Sequence, residues 1–195
     1  MKISEIFESI QGEGRHLGRP MLFIRTSGCT RKCAFCDTQY HNKGKDYSLE
    51  ELINIINKSK LNIVCFTGGE PLLWDEEIKE LRKVIKKDFH IETNGDLLEE
   101  RHVFLFNYIS CSPKELLVAK KVKSIIGDIY IKIVTDLKTV GVDMIKYATA
   151  LMPLSTFNEE EDKKTKQRVW NYCVENDIEY SPRIHVDVWG NKKNI

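Results

Sequence analysis

A chain of 195 residues, 42% hydrophobic and 30% charged, can bury a core and is too apolar to be disordered. Its 30 Lys and Arg against 29 Asp and Glu leave a net charge of +1, without the electrostatic footprint of a nucleic-acid binder or of a protein held on an anionic membrane. The apolar runs at 21–24 and 63–66 are far too short to cross a bilayer, and Met1-Lys2-Ile3-Ser4-Glu5 lacks a signal's apolar stretch, so the expectation is one cytoplasmic domain over 1–195.

In chain order, residues 21–27 form an apolar, β-leaning run ending before a glycine. Ser48-Leu49-Glu50-Glu51 fits a capping box, and Leu49, Leu52, Ile53 and Ile56 make the apolar stripe of a helix. A strand at 62–66, a helix at 75–87 and a strand at 89–92 follow. Another strand is predicted within 103–111, broken near Asn107, then one at 129–134 and a helix at 139–150. A long charged helix covers 159–176 with Val169, Tyr172 and Cys173 inward, and one or two short strands lie in 180–188. Strand and helix alternate about six times, which argues for parallel strands under covering helices. A closed eight-fold barrel needs about 250 residues. The expected fold is therefore α/β, an incomplete TIM-like barrel of about six parallel strands, with its site at the strands' C-terminal ends.

Three of the six cysteines sit close together in Gly28-Cys29-Thr30-Arg31-Lys32-Cys33-Ala34-Phe35-Cys36-Asp37-Thr38, as C-x3-C-x2-C after a strand. In a cytosolic chain such spacing favours metal or redox chemistry over disulfides. Three thiolates on an iron–sulfur cube leave one iron open to substrate. A zinc site completed by His41 is the alternative. Cys65, Cys111 and Cys173 each lie in or beside an apolar segment and read as buried fillers.

Other polar segments follow the remaining strands. Thr67-Gly68-Gly69-Glu70-Pro71 allows close backbone approach to a ligand, or a tight turn. Glu92-Thr93-Asn94-Gly95 offers a carboxylate and an amide to hydroxyl groups, or an Asn-Gly turn. Ser112-Pro113-Lys114 follows Cys111. Near the start, Gln11-Gly12-Glu13-Gly14 sets an amide and a carboxylate on a glycine-rich loop, able to pair with a guanidine-like ring edge. Arg25 can clamp a carboxylate through two N–H bonds. The basic run 82–87 reads as a solvated helix face.

The cysteine loop, with Phe35 before its last cysteine, resembles that of the radical S-adenosylmethionine superfamily. The SIQGEG segment, the GRP step, FIR before the loop, CDT closing it, TGGEP, ETNG, SPK and the tail SPRIH with Trp189-Gly190 together resemble the 7-carboxy-7-deazaguanine synthase family. That resemblance covers nearly the whole chain and implies the radical S-adenosylmethionine fold. It also implies conversion of 6-carboxy-5,6,7,8-tetrahydropterin to 7-carboxy-7-deazaguanine with loss of ammonia, toward queuosine or archaeosine. It implies a [4Fe–4S] cluster on Cys29, Cys33 and Cys36, and Mg2+ on Thr38. Phe35, Cys36, Asp37, Gly69, Glu92, Asn94, Ser112, Pro113 and Lys114 would border S-adenosylmethionine. Gln11, Gly12, Glu13, Gly14, Arg25, Thr67 and His185 would border the pterin.

The family also implies a flavodoxin- or ferredoxin-type one-electron reductant, a homodimer and no nucleic-acid or membrane partner. Two departures stand out: Met152 occupies a place where related enzymes often have Gln, and five residues ending in Ile195 follow Gly190, where some members use a C-terminal carboxylate. Two alternatives remain, a different radical enzyme such as a glycyl-radical activase, and a zinc-binding module without activity.

Overall fold

A computed structural model describes residues 1–34, 36, 43–190 and 192. The strands and helices in chain order are β1 (Lys2–Ile10), β2 (Pro20–Thr26), β3 (Lys45–Asp46), α1 (Leu49–Lys58), β4 (Ile63–Gly68), α2 (Asp75–Val84), β5 (Asp88–Thr93), β6 (Tyr108–Cys111), α3 (Leu116–Ser124), β7 (Ile129–Thr135), β8 (Ala150–Pro153), α4 (Glu159–Asn176), β9 (Glu179–Tyr180) and α5 (Ile184–Trp189). The strands form one sheet in the order β3-β1-β2-β4-β5-β6-β7-β8-β9. β1 pairs antiparallel with β2 and β3, and every pairing from β2 to β9 is parallel. Among the described residues β3 and β9 do not pair, so the sheet stays open. β2 and β4 to β8 are the six parallel strands expected, with the two-residue β9 added.

The alternation of side chains along each strand gives the sheet two different faces. On one face Ile24, Phe66, Ile91, Ile109, Ile131, Ile133 and Leu151 pack with Leu52 and Ile56 of α1, Ile78 and Leu81 of α2, Val122 of α3 and Val169 of α4. This is the main core. On the other face lie two small apolar groups, Met21, Phe23, Ile63 and Cys65, and Tyr108, Tyr130 and Ala150. Nearer the strands' C-terminal ends that face turns polar. Arg25 stands beside Thr67, and Glu92 beside Ser110. Cys65, Cys111 and Cys173 are buried, as their neighbours suggested.

The capping box at Ser48 forms, with Glu51 N–H donating to Ser48 Oγ at 3.1 Å and Ser48 N–H to Glu51 Oε2 at 2.7 Å. Four expectations need correction. Residues 103–106 are no strand: a 3-10 turn runs over Glu100–Phe104, Phe106 packs edge-on to Phe66, and Asn107 Oδ1 accepts Phe89 N–H at 2.9 Å, so pairing starts at Tyr108. The helix predicted over 139–150 is a 3-10 turn at Val142–Tyr147 entered through left-handed Gly141, and Ala150 already belongs to β8. The helix at 75–87 stops at Val84, because Ile85 turns extended. In the tail, 184–188 is helical, with Ile184 N–H donating to Gly12 O at 3.0 Å. α3 has no counterpart in the sequence reading. No helix among the described residues is long and apolar enough to cross a membrane.

Candidate active site

A cavity of about 320 Å3 opens where the parallel strands end. Its wall takes Gln11, Gly12 and Glu13 from the loop after β1, and Arg25 from β2. The cysteine loop supplies Cys29, Cys33 and Cys36, and the turn after β4 supplies Thr67 and Gly69. Glu92 and Asn94 end β5, Ser112 and Lys114 follow β6, and His185 comes from α5. The segments singled out from sequence thus meet at one mouth. Gly14 and Pro113 do not line it: Gly14 N–H donates to Ser181 Oγ at 2.9 Å, and Pro113 is buried. Phe35, Asp37, Thr38, His41 and Ile195 lie outside the described residues.

The cysteine loop is anchored from the turn after β5. Asn94 Nδ2 donates to Thr30 Oγ1 at 2.9 Å and lies 3.8 Å from Cys29 Sγ. Asp96 accepts Thr30 Oγ1–H at 2.6 Å and Arg31 Nη2–H at 2.6 Å, and Glu115 accepts Arg31 Nη1–H at 2.5 Å. Asn94 Oδ1 in turn accepts Asp96 N–H at 2.9 Å. Asn94 therefore braces the cysteine loop from the place where sequence puts a cofactor contact.

Gly69 is needed for close approach. A Cβ there would lie 1.7 Å from Gly28 O, and Glu70 N–H donates to that same oxygen at 2.8 Å. Glu70, fully buried, accepts Thr93 Oγ1–H at 2.7 Å, Asn94 N–H at 2.8 Å and Leu72 N–H at 3.1 Å. Its carboxylate ties the TGGEP turn to the ETNG turn. Burial raises its pKa above the usual carboxylate value against these hydrogen bonds.

The same cavity holds a charged group centred on Lys132, which is 2% exposed. Its ammonium bridges Glu13 and Glu92 Oε2, the latter at 3.2 Å. Gln11 Nε2 donates to Glu92 Oε1 at 3.1 Å, and Arg183 Nε donates to Glu13 Oε1 at 3.1 Å with His185 Nε2 3.8 Å from that oxygen. Burial pushes the Glu13 carboxyl up, but Lys132, Arg183 and His185 outweigh it and hold its pKa well below the ordinary range. Burial keeps Glu92 above its ordinary value in spite of Lys132. The Lys132 pKa rises, because the two carboxylates overcome its desolvation.

Sequence reasoning gave no role to Lys132, Arg183, Asp96 or Arg31. The available signal was a lysine alternating with isoleucines inside a strand that otherwise reads as buried.

Gly12 packs on the tail, with a Cβ there falling 2.0 Å from His185 Nδ1. A register shift between Ile3 and Glu5 sets Glu5 opposite Arg25, whose Nε donates to Glu5 Oε2 at 2.6 Å. Lys114 Nζ donates to Ser112 Oγ at 2.8 Å; burial lowers the lysine's pKa, and neighbouring Cys33 opposes that shift.

All three loop cysteines are free thiols open to the same cavity. Among the described residues no three His, Cys, Asp or Glu side chains are gathered at a common metal-ligating point. As a donor set, soft thiolates on one short loop, one of them beside amide N–H groups at 3.5 and 3.8 Å, fit an iron–sulfur cluster.

The family model of the radical SAM superfamily matches residues 23–164. The 7-carboxy-7-deazaguanine synthase of Thermoplasma acidophilum is 46% identical over 107 residues, 53% of this chain and 51% of that protein. That of Pyrobaculum aerophilum is 29% identical over 99% of this chain and 96% of its own, and that of Methanocaldococcus jannaschii is 34% identical over 68% and 70%. The crystal structure of QueE from Escherichia coli shares the fold with a TM-score of 0.68 at 21% identity, covering 93% of this chain and 92% of that one. The chain thus belongs to the radical SAM superfamily, whose members use a [4Fe–4S] cluster and S-adenosylmethionine, and within it to the 7-carboxy-7-deazaguanine synthases, lyases of 7-deazapurine biosynthesis.

Proposed function

We propose that this cavity converts 6-carboxy-5,6,7,8-tetrahydropterin to 7-carboxy-7-deazaguanine with loss of ammonia. The observation that carries the reading is that the QGEG loop and the cysteine loop line one cavity, with Gln11 tied by a hydrogen bond to Glu92 at the end of β5. Cys29, Cys33 and Cys36 would hold the cluster. When bound, it supplies the electron that cleaves S-adenosylmethionine to the radical starting the reaction. The protein's own task is to hold two ligands in fixed relation and keep water away.

On the cofactor side, Gly69, Glu92, Asn94, Ser112 and Lys114 would border S-adenosylmethionine, with Glu92 set to accept ribose hydroxyls. On the substrate side, ionised Glu13 would accept two N–H groups of the pterin's guanidine-like edge, with Gln11, Thr67 and His185 beside it. Arg25, oriented by Glu5, is the guanidinium for the substrate carboxylate. Thr38 would give a hydroxyl ligand to Mg2+, which prefers oxygen and keeps few protein contacts. A homodimer and a flavodoxin- or ferredoxin-type reductant complete the reading.

The test is anaerobic reconstitution with iron and sulfide, reduction, and addition of S-adenosylmethionine, Mg2+ and 6-carboxytetrahydropterin, with products read by mass spectrometry. Carboxydeazaguanine together with 5′-deoxyadenosine is the expected result. 5′-Deoxyadenosine alone would refute the pterin, and absence of both from protein confirmed to hold its cluster would refute the reaction.

A further inference from the structure

We propose that Lys132 is a positioning residue, a counter-charge shared by the substrate-side carboxylate Glu13 and the cofactor-side carboxylate Glu92, without which the two cannot both stay ionised. The inference rests on the reading of Glu13 as the pterin acceptor, and adds a residue that no sequence motif marks.

The geometry is that of a bridge. Lys132 rises from the middle of β7, between Ile131 and Ile133, whose side chains enter the main core on the opposite face. Its ammonium contacts Glu13 from the loop after β1 and Glu92 from β5. Two carboxylates within reach of one nitrogen repel each other strongly once that nitrogen is gone; the repulsion raises the second ionisation of the pair, and burial raises it further.

The charges facing the group balance. Glu13 and Glu92 supply two negative charges, and Lys132 and Arg183 two positive ones. His185 stands at 3.8 Å from Glu13. Further out, the Lys114 ammonium, the Cys65 thiol and the Tyr108 and Tyr130 phenols face the same centre. Arg183 contacts Glu13 at an oxygen other than the one Lys132 holds, whereas Lys132 reaches both carboxylates. Without Lys132, one excess negative charge remains in a buried site, and taking up a proton is the least costly way to remove it.

The consequence concerns recognition. A carboxylate accepts two N–H groups of a pterin edge only when ionised; the protonated acid has lost one acceptor and gained a donor. Pterin affinity should therefore become linked to pH in a variant without the ammonium.

The experiment measures the Kd of pterin-6-carboxylate against pH, from about 6 to 9, on cluster-loaded protein, with each variant brought to S-adenosylmethionine saturation by its own titration. Wild type carries any contribution of His185 and of the ligand, so the readout is the difference between variant and wild type. Lys132→Met should weaken binding, with Kd rising about tenfold per pH unit below a new ionisation and recovering above it. The double variant Lys132→Met with Glu92→Gln removes one carboxylate along with the ammonium and should return toward the wild-type profile. A merely structural role for Lys132 would make the double variant worse.

Wild-type binding together with an unchanged profile in Lys132→Met would overturn the inference and leave the proposed function standing. Failure of the double variant to regain the wild-type profile would also overturn it. Absence of pterin-6-carboxylate binding by wild type would refute the proposed function, and the inference with it.

Discussion

Replacing Gly69 by alanine should damage the protein through two backbones forced apart. Gly69 needs no left-handed conformation, so the requirement is for space alone. The added Cβ would stand 1.7 Å from Gly28 O, 2.5 Å from Gly28 C and 3.2 Å from Cys29 N. All three are main-chain atoms, so no side chain can swing aside. Normal carbon–oxygen contact requires the strands of this crossing to separate by more than an ångström. That separation strains the Gly69 N–H bond to Thr26 O at 3.1 Å and the Glu70 N–H bond to Gly28 O at 2.8 Å. Each is worth about 1 kcal/mol net, and residual strain brings the expected loss to about 2–4 kcal/mol. The displaced element is the entry to the cysteine loop, so iron incorporated per chain on reconstitution should fall as well. Gly18→Ala is the control: it meets no atom within 4 Å but sits at φ +84°, so only the left-handed penalty of about 1–2 kcal/mol applies. Urea unfolding and iron content measured on both variants decide the matter. A Gly69→Ala protein within about 0.5 kcal/mol of wild type and with full iron would refute the reasoning.

Two further outcomes follow from the geometry. Glu70→Gln replaces one acceptor oxygen with an NH2 group where three donors converge, so at least one buried donor faces another; urea unfolding should show a loss of about 1–3 kcal/mol, and an unchanged midpoint would contradict the assigned role. His90 is 4% exposed, with Nδ1 lacking a hydrogen-bond partner and its ring centroid 4.6 Å from that of His16. Burial, aided by His16, lowers its pKa to about 4 from an ordinary 6.5. The folded protein keeps this ring neutral while the unfolded chain binds a proton, so its contribution is complete above about pH 6.5 and is lost as pH falls toward 4, by about 3 kcal/mol in all. His90→Phe should flatten the decline of the urea midpoint between pH 7 and 5, and an identical slope in both proteins would show that His90 does not carry the effect.

The order of the central strands was legible because β2, β4, β5 and β7 hold apolar runs, each followed by a polar or glycine-bearing turn. Those turns are what the fold brings together, so the cysteines, Gly69, Glu92 and Lys114 could be placed at one mouth from spacing alone. The local failures share a cause. Residues 103–106 look β-leaning by composition, but Phe106 is claimed by Phe66 and Asn107 by the backbone of Phe89. The alternating Ile184, Val186 and Val188 imitate a strand, yet Ile184 N–H is taken by Gly12 O, and the chain coils there. In both places the deciding contact comes from a segment distant in sequence, which local propensity cannot register. Lys132 escaped for a related reason. Its neighbours mark a buried strand, while the carboxylates that make a buried lysine tolerable lie 119 and 40 residues away.

The sheet's two faces divide stability from chemistry, and the division runs residue by residue along each strand. Ile91 and Glu92, or Ile131 and Lys132, are adjacent in sequence yet belong to opposite faces. Apolar burial under four helices provides cohesion on one side. That cohesion permits the other side to hold several buried charges, each costly alone and tolerable only when balanced. The balance is local: Glu13 with Lys132 and Arg183, Arg25 with Glu5, and Arg31 with Asp96 and Glu115. Most of these pairs join elements distant in the chain, so charges that line the cavity also fix the loops presenting them. A ligand entering this cavity does not find isolated charges to neutralise; it exchanges hydrogen bonds with a network already held in place, which is the condition for positioning two reactants without reorganising the site.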